Sequence, residues 1–302
     1  TVDYEFSLKN VALIKPNRKL INHFFLEQIQ RKERGKLFHK LTSGGAQPFL
    51  SLKEIGKIKI NLPSLSEQQK IAEFISSVDK KIQLLEKKKE QLELYKKGVM
   101  QKIFSREIRF KDENGNFYPD WESKTLDQLF EFKRGKSVVE NKFGNYFLLE
   151  MGSVSIEGKL IAAKRTSRES FLLKNDLIMP ERDIGKGYII GRSAIINEDN
   201  KYVLGGNLLS LTAIQNLCSH FINYQINEYS FRKKLRRIVN GSAQLMITSR
   251  EVKKLSLNLP IFDEQKKIAD FLFAIDKKIE TTSTQIDKTK EFKKGLLQQM
   301  FV

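Results

Sequence analysis

NLPSLSEQQKIAEFISSVDKKI, residues 61–82, returns later in the chain as NLPIFDEQKKIADFLFAIDKKI, residues 258–279. The offset of 197 residues persists without a gap, and eighteen of the 44 positions in 61–104 are identical in 258–301. A fixed offset of this kind is the signature of a duplicated structural unit. The chain therefore contains one complete unit, 106–302, preceded by the back part of another, 1–105.

The end of each copy has the pattern of a long helix. Its seam residues recur at alternating spacings of four and three, which is the heptad spacing of a coiled coil. The apolar positions expected to pack are Ile71, Ile75, Val78, Ile82, Leu85 and Leu92 in the helix 63–105, and Ile268, Leu272, Ile275 and Ile279 in the helix 258–302. Polar residues interrupt both seams, at Lys89, Lys96, Thr282, Thr289 and Lys293. Two matching seams favour packing of the helices on each other, while two separate amphipathic helices remain the alternative.

The front part of the complete unit, 106–257, has mixed character. Strand-like runs at 145–154, 187–196 and 207–214 lie between Gly, Asn and Asp residues, and a helical stretch follows at 217–238. This pattern predicts a compact α+β domain. Residues 1–62 correspond only to the back part of such a domain, so the first copy is expected to be incomplete.

Composition narrows the class of protein. The 302 residues include one cysteine, Cys218, and three histidines, which excludes an internal disulfide framework and argues against a zinc site of the His/Cys kind. No signal peptide or membrane span is visible, so we expect a cytoplasmic protein. The net charge is +18, with +7 in 1–62 and +7 in 106–257, against +3 and +1 in the two helices. Such an excess points to a polyanionic partner, most often nucleic acid, held by the globular parts.

Sequence motifs of catalysis are incomplete. The tail of a phosphate-binding loop is present at Gly135-Lys136-Ser137, but Phe130 stands where its first glycine belongs. The chain has no Pro-Pro pair for an amino-methyltransferase loop, and in PDWESK (119–124) the two carboxylates are too close in sequence for a metal-dependent nuclease. The sequence therefore predicts a chain without catalytic residues and without a bound metal.

Basic and amide side chains cluster in the turns of the globular parts. Arginine and lysine bind phosphates, arginine can read guanine, and amide or hydroxyl groups suit base edges. The candidate DNA-binding residues are Lys133, Arg134, Lys136, Arg165, Arg168, Arg182, Lys186, Arg192, Arg232, Lys233, Asn240, Ser242, Gln244 and Thr248, with Thr42, Ser43 and Gln47 in the first copy. A solvated surface charge is the alternative for each residue taken singly.

These features together resemble the specificity subunit of type I restriction–modification systems. The resemblance lies in two α+β units, each closed by NLP…EQ.KIA.F…DKKI and by a long helix ending in KKG…Q..F, and in the linker 109–122. It implies two target-recognition domains, each reading one half of a bipartite DNA site, separated by helices that pack as an antiparallel coiled coil. By this resemblance we expect the first recognition domain to be truncated in this chain.

The resemblance also implies partners. Each helix would dock a modification (methyltransferase) subunit, giving two, and restriction subunits would join them on double-stranded DNA. S-adenosylmethionine, ATP and Mg²⁺ would be bound by those subunits, and this chain would bind no cofactor and do no chemistry. A non-specific nucleic-acid scaffold built on a coiled coil remains the alternative, distinguished by whether affinity depends on DNA sequence.

Overall fold

The computed structural model describes residues 51–57, 62–161, 163–169, 172–241 and 244–300. In chain order the elements are α1 (Leu52–Gly56), α2 (Leu65–Phe104), β1 (Glu122–Thr125), α3 (Leu126–Leu129), β2 (Phe130–Arg134), β3 (Tyr146–Leu149), β4 (Lys164–Thr166), β5 (Leu177–Pro180), β6 (Arg182–Asp183), β7 (Ala194–Ile195), β8 (Tyr202–Leu204), β9 (Leu208–Ala213), α4 (Ser219–Asn227), α5 (Tyr229–Arg236), β10 (Leu245–Met246), α6 (Ser249–Lys253), β11 (Ser256–Leu259) and α7 (Phe262–Met300). The fold is α+β, as predicted. None of the described helices has the length and apolar character that a transmembrane span requires.

The chain divides into two compact units. Unit 1 holds the described residues up to Leu92 together with those from Lys278 onward, and unit 2 is Glu93–Lys277. The predicted boundaries differ, since they assigned 63–105 and 258–302 wholly to helices and 106–257 to the globular domain. Each long helix contributes residues to both units.

Unit 1 contains an antiparallel helix pair. Ile75 of α2 packs against Leu297 and Met300 of α7, while further along α2 Glu86 pairs with Lys290 at 2.7 Å. Contacts in which one residue number rises as the other falls require opposite helix directions. All ten apolar positions predicted for helix packing are buried or half-buried.

The repeated NLP…EQ motif shapes the start of each long helix. In unit 1 the Gln68 side-chain amide donates to the Pro63 carbonyl at 2.9 Å, and in unit 2 Gln265 donates to Pro260 at the same distance. Both glutamines are buried. A carbonyl next to a helix start is thereby satisfied without water, which explains why both copies keep the Pro-to-Gln spacing.

Two sheets form the core of unit 2. Strands β2, β9, β5 and β7 make an antiparallel sheet, and β4, β3 and β8 make a second sheet in which β3 and β8 run parallel. Buried side chains from both sheets share one apolar cluster, including Leu149, Ile178 and Leu208. Strands β1 and β11 pair separately, so the chain enters and leaves the globular part side by side.

Two sequence predictions need correction. The second helix begins at Phe262 and not at 258, because Asn258 and Leu259 are extended before Pro260 and pair with β1. The strand predicted over 187–196 is confined to Ala194–Ile195. Gly187 and Gly191 have φ values of +76° and +64°, which break the extended backbone.

Candidate nucleic-acid interface

The short strands β6 and β10 bring three predicted DNA-binding residues together. Arg182 lies opposite Met246 in this pair, and Met246 exchanges backbone hydrogen bonds with Asn240 at 2.8 and 2.9 Å. Gln244 precedes β10 and is exposed. We call this feature, residues 182–183 with 240–241 and 244–246, the β6–β10 ribbon. A two-stranded ribbon of this width can enter a DNA groove.

The loop after β6 presents Lys186 beside the ribbon. The buried Asp183 carboxylate accepts the backbone N–H of Gly185 at 2.7 Å and that of Ile189 at 3.2 Å. These bonds hold the loop in a defined shape, and Lys186 is exposed on it. Because the Asp183 side chain holds the loop, Lys186 can contact a partner without the loop having to fold first.

Arg134 contacts Glu181, the residue between β5 and β6. Its Nε donates to the Glu181 carboxylate at 2.7 Å, and Glu181 is nearly fully buried. Lys133 and Lys136 are exposed nearby in sequence, with Lys133 3.7 Å from Glu131. The pairing of Arg134 with a buried carboxylate gives it a structural contact in addition to any contact with DNA.

Close packing of the backbone requires a glycine at position 135. A Cβ at this position would lie 1.8 Å from the carbonyl oxygen of Gly205. A glycine among basic residues can let a phosphate approach the backbone, but at Gly135 it is the contact with the neighbouring chain segment that requires the small residue.

Other predicted residues lie elsewhere in unit 2. Arg165 is on β4 and stacks over the Phe147 ring at 4.1 Å, and Arg168 follows it on an exposed turn. Arg232 is buried on α5, next to the exposed Lys233, and Arg192 donates to the Asn227 carbonyl at 3.1 Å. The structure thus does not gather all the candidates into one patch.

Thr248 has a different role from the one predicted. Its hydroxyl donates to Glu251 at 2.7 Å and accepts the Glu251 N–H at 3.2 Å, which caps the start of α6. The two contacts occupy the hydroxyl that was expected to face a base. Hydrogen bonds from Thr248 also lower the pKa of Glu251. Thr42, Ser43, Gln47 and Ser242 lie outside the described residues.

A basic cavity on α6 was missed at the sequence level. It has a volume of about 480 Å³ and is lined by Thr125, Asp127, Ser249, Arg250, Lys253 and Lys254. The available signal was the spacing of its three cations, two of which lie on α6 while Lys254 directly follows it. Among the described residues no group of His, Cys, Asp and Glu side chains is arranged to hold a metal ion.

Comparison with solved structures shows the same fold. The S subunit of a type I restriction-modification system from M. genitalium matches 94% of this chain and 73% of its own, with a TM-score of 0.61 at 16% identity. The HsdS subunit from Thermoanaerobacter tengcongensis matches 92% of this chain and 69% of its own, with a TM-score of 0.51 at 16% identity.

Two specificity subunits are similar to this chain in amino-acid sequence. The putative type I restriction enzyme MjaX specificity subunit of Methanocaldococcus jannaschii is 25% identical over 302 residues, covering 95% of this chain and 69% of that protein. The MjaVIII specificity subunit from the same organism is 25% identical over 315 residues, covering 95% of this chain and 71% of that protein. The family model for the type I restriction modification DNA specificity domain matches residues 3–94 and 118–291. With most of the chain matched, this protein belongs to the family of type I restriction modification DNA specificity domains.

Proposed function

We propose that this chain is the specificity subunit that selects the DNA sequence on which a type I restriction–modification assembly acts. The observation that carries the proposal is the β6–β10 ribbon, which brings the half-buried Arg182 together with the exposed Asn240 and Gln244. Arginine and amide side chains are the groups that discriminate base edges in the major groove. The net charge of +18 supplies the sequence-independent attraction to the phosphate backbone.

Reading a bipartite site requires two recognisers held apart. In this proposal the globular part of unit 2 reads one half-site, and the paired long helices set the distance to the other. The ion pairs between α2 and α7 in unit 1 support a stiff helical spacer.

The chemistry would belong to the partners. We propose that the helices dock two modification subunits, which supply S-adenosylmethionine and methylate adenine, and that restriction subunits supply ATP-dependent cleavage with Mg²⁺. This chain would contribute position and sequence choice only, and it would work in the cytoplasm with its DNA.

The competing function is that of a non-specific scaffold, which the strongly basic composition alone would also support. The two functions differ in how affinity depends on sequence at fixed salt. The test is selection of duplexes from a random pool by the full chain together with its modification subunit. Enrichment of a defined motif at physiological salt is expected. Recovery of unenriched DNA, with affinity that depends only on salt, would favour the scaffold.

A further inference from the structure

Three arginines converge at one place in unit 2. Arg232 and Arg236 lie one turn apart on the same face of α5. Arg192 is brought to them by the segment before it, since Gly191 packs so closely on α5 that a Cβ would lie 2.3 Å from the Leu235 side chain. The positive charges of Arg192 and Arg236 both act on the Arg232 guanidinium.

Arg232 is buried without a partner. Its exposure is 4%, and none of its three guanidinium nitrogens has a hydrogen-bond partner among the described residues. Burial, together with the neighbouring charges of Arg192 and Arg236, lowers the pKa of Arg232 to about 9. A buried cation without a counter-charge is strongly unfavourable, so the site lacks an anion that would stabilise it.

The surrounding residues do not supply that anion. Arg192 donates to two carbonyls, of Tyr188 and Asn227, which carry no net charge. Glu228, at the start of α5, accepts hydrogen bonds from the backbone and the hydroxyl of Ser230. The negative charge of Glu157 raises the pKa of Arg192, and the Glu157 side chain is exposed. The three arginines therefore outnumber the carboxylates near them, and neither carboxylate is hydrogen-bonded to Arg232.

We propose that Arg192, Arg232 and Arg236 form an anion site that holds a phosphate group of the DNA backbone. Arg236 is exposed and Arg192 is half-buried, so these two can donate to the phosphate directly. Arg232 lies buried beneath them, where its charge is poorly screened and attracts the anion through a low dielectric. Guanidinium groups match the geometry of phosphate oxygens.

The position of the site favours DNA over free phosphate as the source. Arg192 bonds to the carbonyl of Tyr188, on the same loop that presents Lys186 beside the β6–β10 ribbon. A phosphate held here would fix the position of the ribbon on the duplex, because backbone contacts set the orientation in which base contacts form. Identification of the phosphate as DNA rests on the proposed function, whereas the anion site itself does not.

The first test measures the melting temperature of the full chain in phosphate and in chloride at equal ionic strength. Phosphate is expected to raise it by roughly 3 °C. Arg232→Met removes the unpaired charge but keeps the side-chain volume, so this variant should melt no lower than wild type in chloride and should lose the response to phosphate. Lys233→Met, on the exposed face of the same helix, should keep the response. An equal response in Arg232→Met and wild type would overturn the site, as would a large loss of stability of Arg232→Met in chloride.

The second test identifies the source of the phosphate. With a selected duplex, Arg236→Gln should reduce the slope of log affinity against log salt by about 0.9, the value for one phosphate contact. A phosphate response in the first test with an unchanged slope in Arg236→Gln would overturn the DNA assignment in favour of free phosphate. If wild type shows the phosphate response but no sequence-dependent DNA binding, the anion site stands and the proposed function fails.

Discussion

Lys96 and Asp276 form an ion pair within unit 2, with the ammonium 2.7 Å from Oδ1. Their repeat equivalents at the 197-residue offset, Lys293 and Asp79, pair at 2.9 Å within unit 1. An antiparallel pair of equivalent helices makes such a contact twice, with the roles of the helices exchanged. Lys96 and Lys293, two of the lysines that interrupt the predicted seam, thus bind carboxylates across the helix pair.

The two ion pairs should differ in strength. Lys96 and Asp276 are 18% and 17% exposed, and Asp276 also accepts the Tyr224 hydroxyl at 2.6 Å, whereas Lys293 and Asp79 are 21% and 31% exposed. Asp276→Asn should lower the free energy of unfolding by about 2 kcal/mol and Asp79→Asn by less than half as much. Denaturant titration of both variants measures the difference. Equal losses would contradict this ranking.

The apolar seam in unit 1 should dominate the stability of the helix pair. Ile75 is 1% exposed and packs on Leu297 and Met300, while its neighbour Phe74 is 43% exposed. Ile75→Ala should cost about 2–4 kcal/mol because the cavity cannot close fully, and Phe74→Ala should cost clearly less. Thermal melting monitored by circular dichroism compares the two. A larger loss for Phe74→Ala would place the seam on the wrong face of α2.

Substitution of Gly135 tests whether this glycine is required for packing or for letting a phosphate approach the backbone. Gly135→Ala should cost about 1–3 kcal/mol, because the new Cβ would meet the Gly205 carbonyl. Gly98, inside α2, has nothing within 4 Å of its Cβ position, so Gly98→Ala should instead stabilise by about 0.5–1 kcal/mol. Denaturant unfolding of both variants gives the two signs. A Gly135→Ala variant of unchanged stability with weakened DNA binding would mean instead that this glycine lets a phosphate approach the backbone.

A buried carboxyl at the start of α7 should make stability depend on pH. Glu264 accepts the Trp121 indole N–H at 3.1 Å, and burial raises its pKa, opposed by that hydrogen bond and by the Arg109 charge. Because the pKa of Glu264 is raised in the folded state, protonated Glu264 contributes its full stability to the fold below the pKa of an unfolded glutamate, about 4.3. This contribution is lost as the pH rises through the pKa of Glu264 in the folded state.

Glu264→Gln removes that titration while keeping an acceptor for Trp121. The variant should therefore gain stability over wild type as pH rises, with a wider gap in melting temperature near pH 8 than near pH 4. Measuring both proteins at these two pH values tests the sign. A gap that narrows toward pH 8 would mean that the ionised carboxylate is stabilised in the fold.

Much of the fold follows from the sequence because the repeat and the heptad spacing are long, redundant signals. The heptad spacing does not show how polar residues fit into the seam. Thr282 is buried there because its hydroxyl donates to the Lys278 carbonyl of its own helix. The site was less predictable because it depends on short strands. The residues around Arg182 do not indicate that it pairs with Met246, some sixty positions away. Thr248 carries a hydroxyl that could read a base, but in the structure this hydroxyl caps a helix.

Two exposed residues should separate base reading from phosphate binding. Gln244 adjoins the β6–β10 ribbon and Lys233 lies on α5. Gln244→Ala should relax discrimination at one position of the half-site by about tenfold, since a bidentate amide contact contributes roughly 1–3 kcal/mol. Lys233→Ala should weaken all sequences alike and reduce the salt slope by about 0.9. Binding to a panel of singly mismatched duplexes gives both profiles, and identical profiles for Gln244→Ala and wild type would remove Gln244 from the readout.

The central claim is that this chain chooses the DNA sequence at which its partners act. The most direct measurement is to express the chain with its cognate modification subunit in methylation-free cells and to map methyladenine across the genome. We predict methylation confined to one motif, with at least one specified half-site that changes in the Gln244→Ala variant. Methylation without a sequence motif, or none beyond that of the modification subunit expressed alone, would contradict the account.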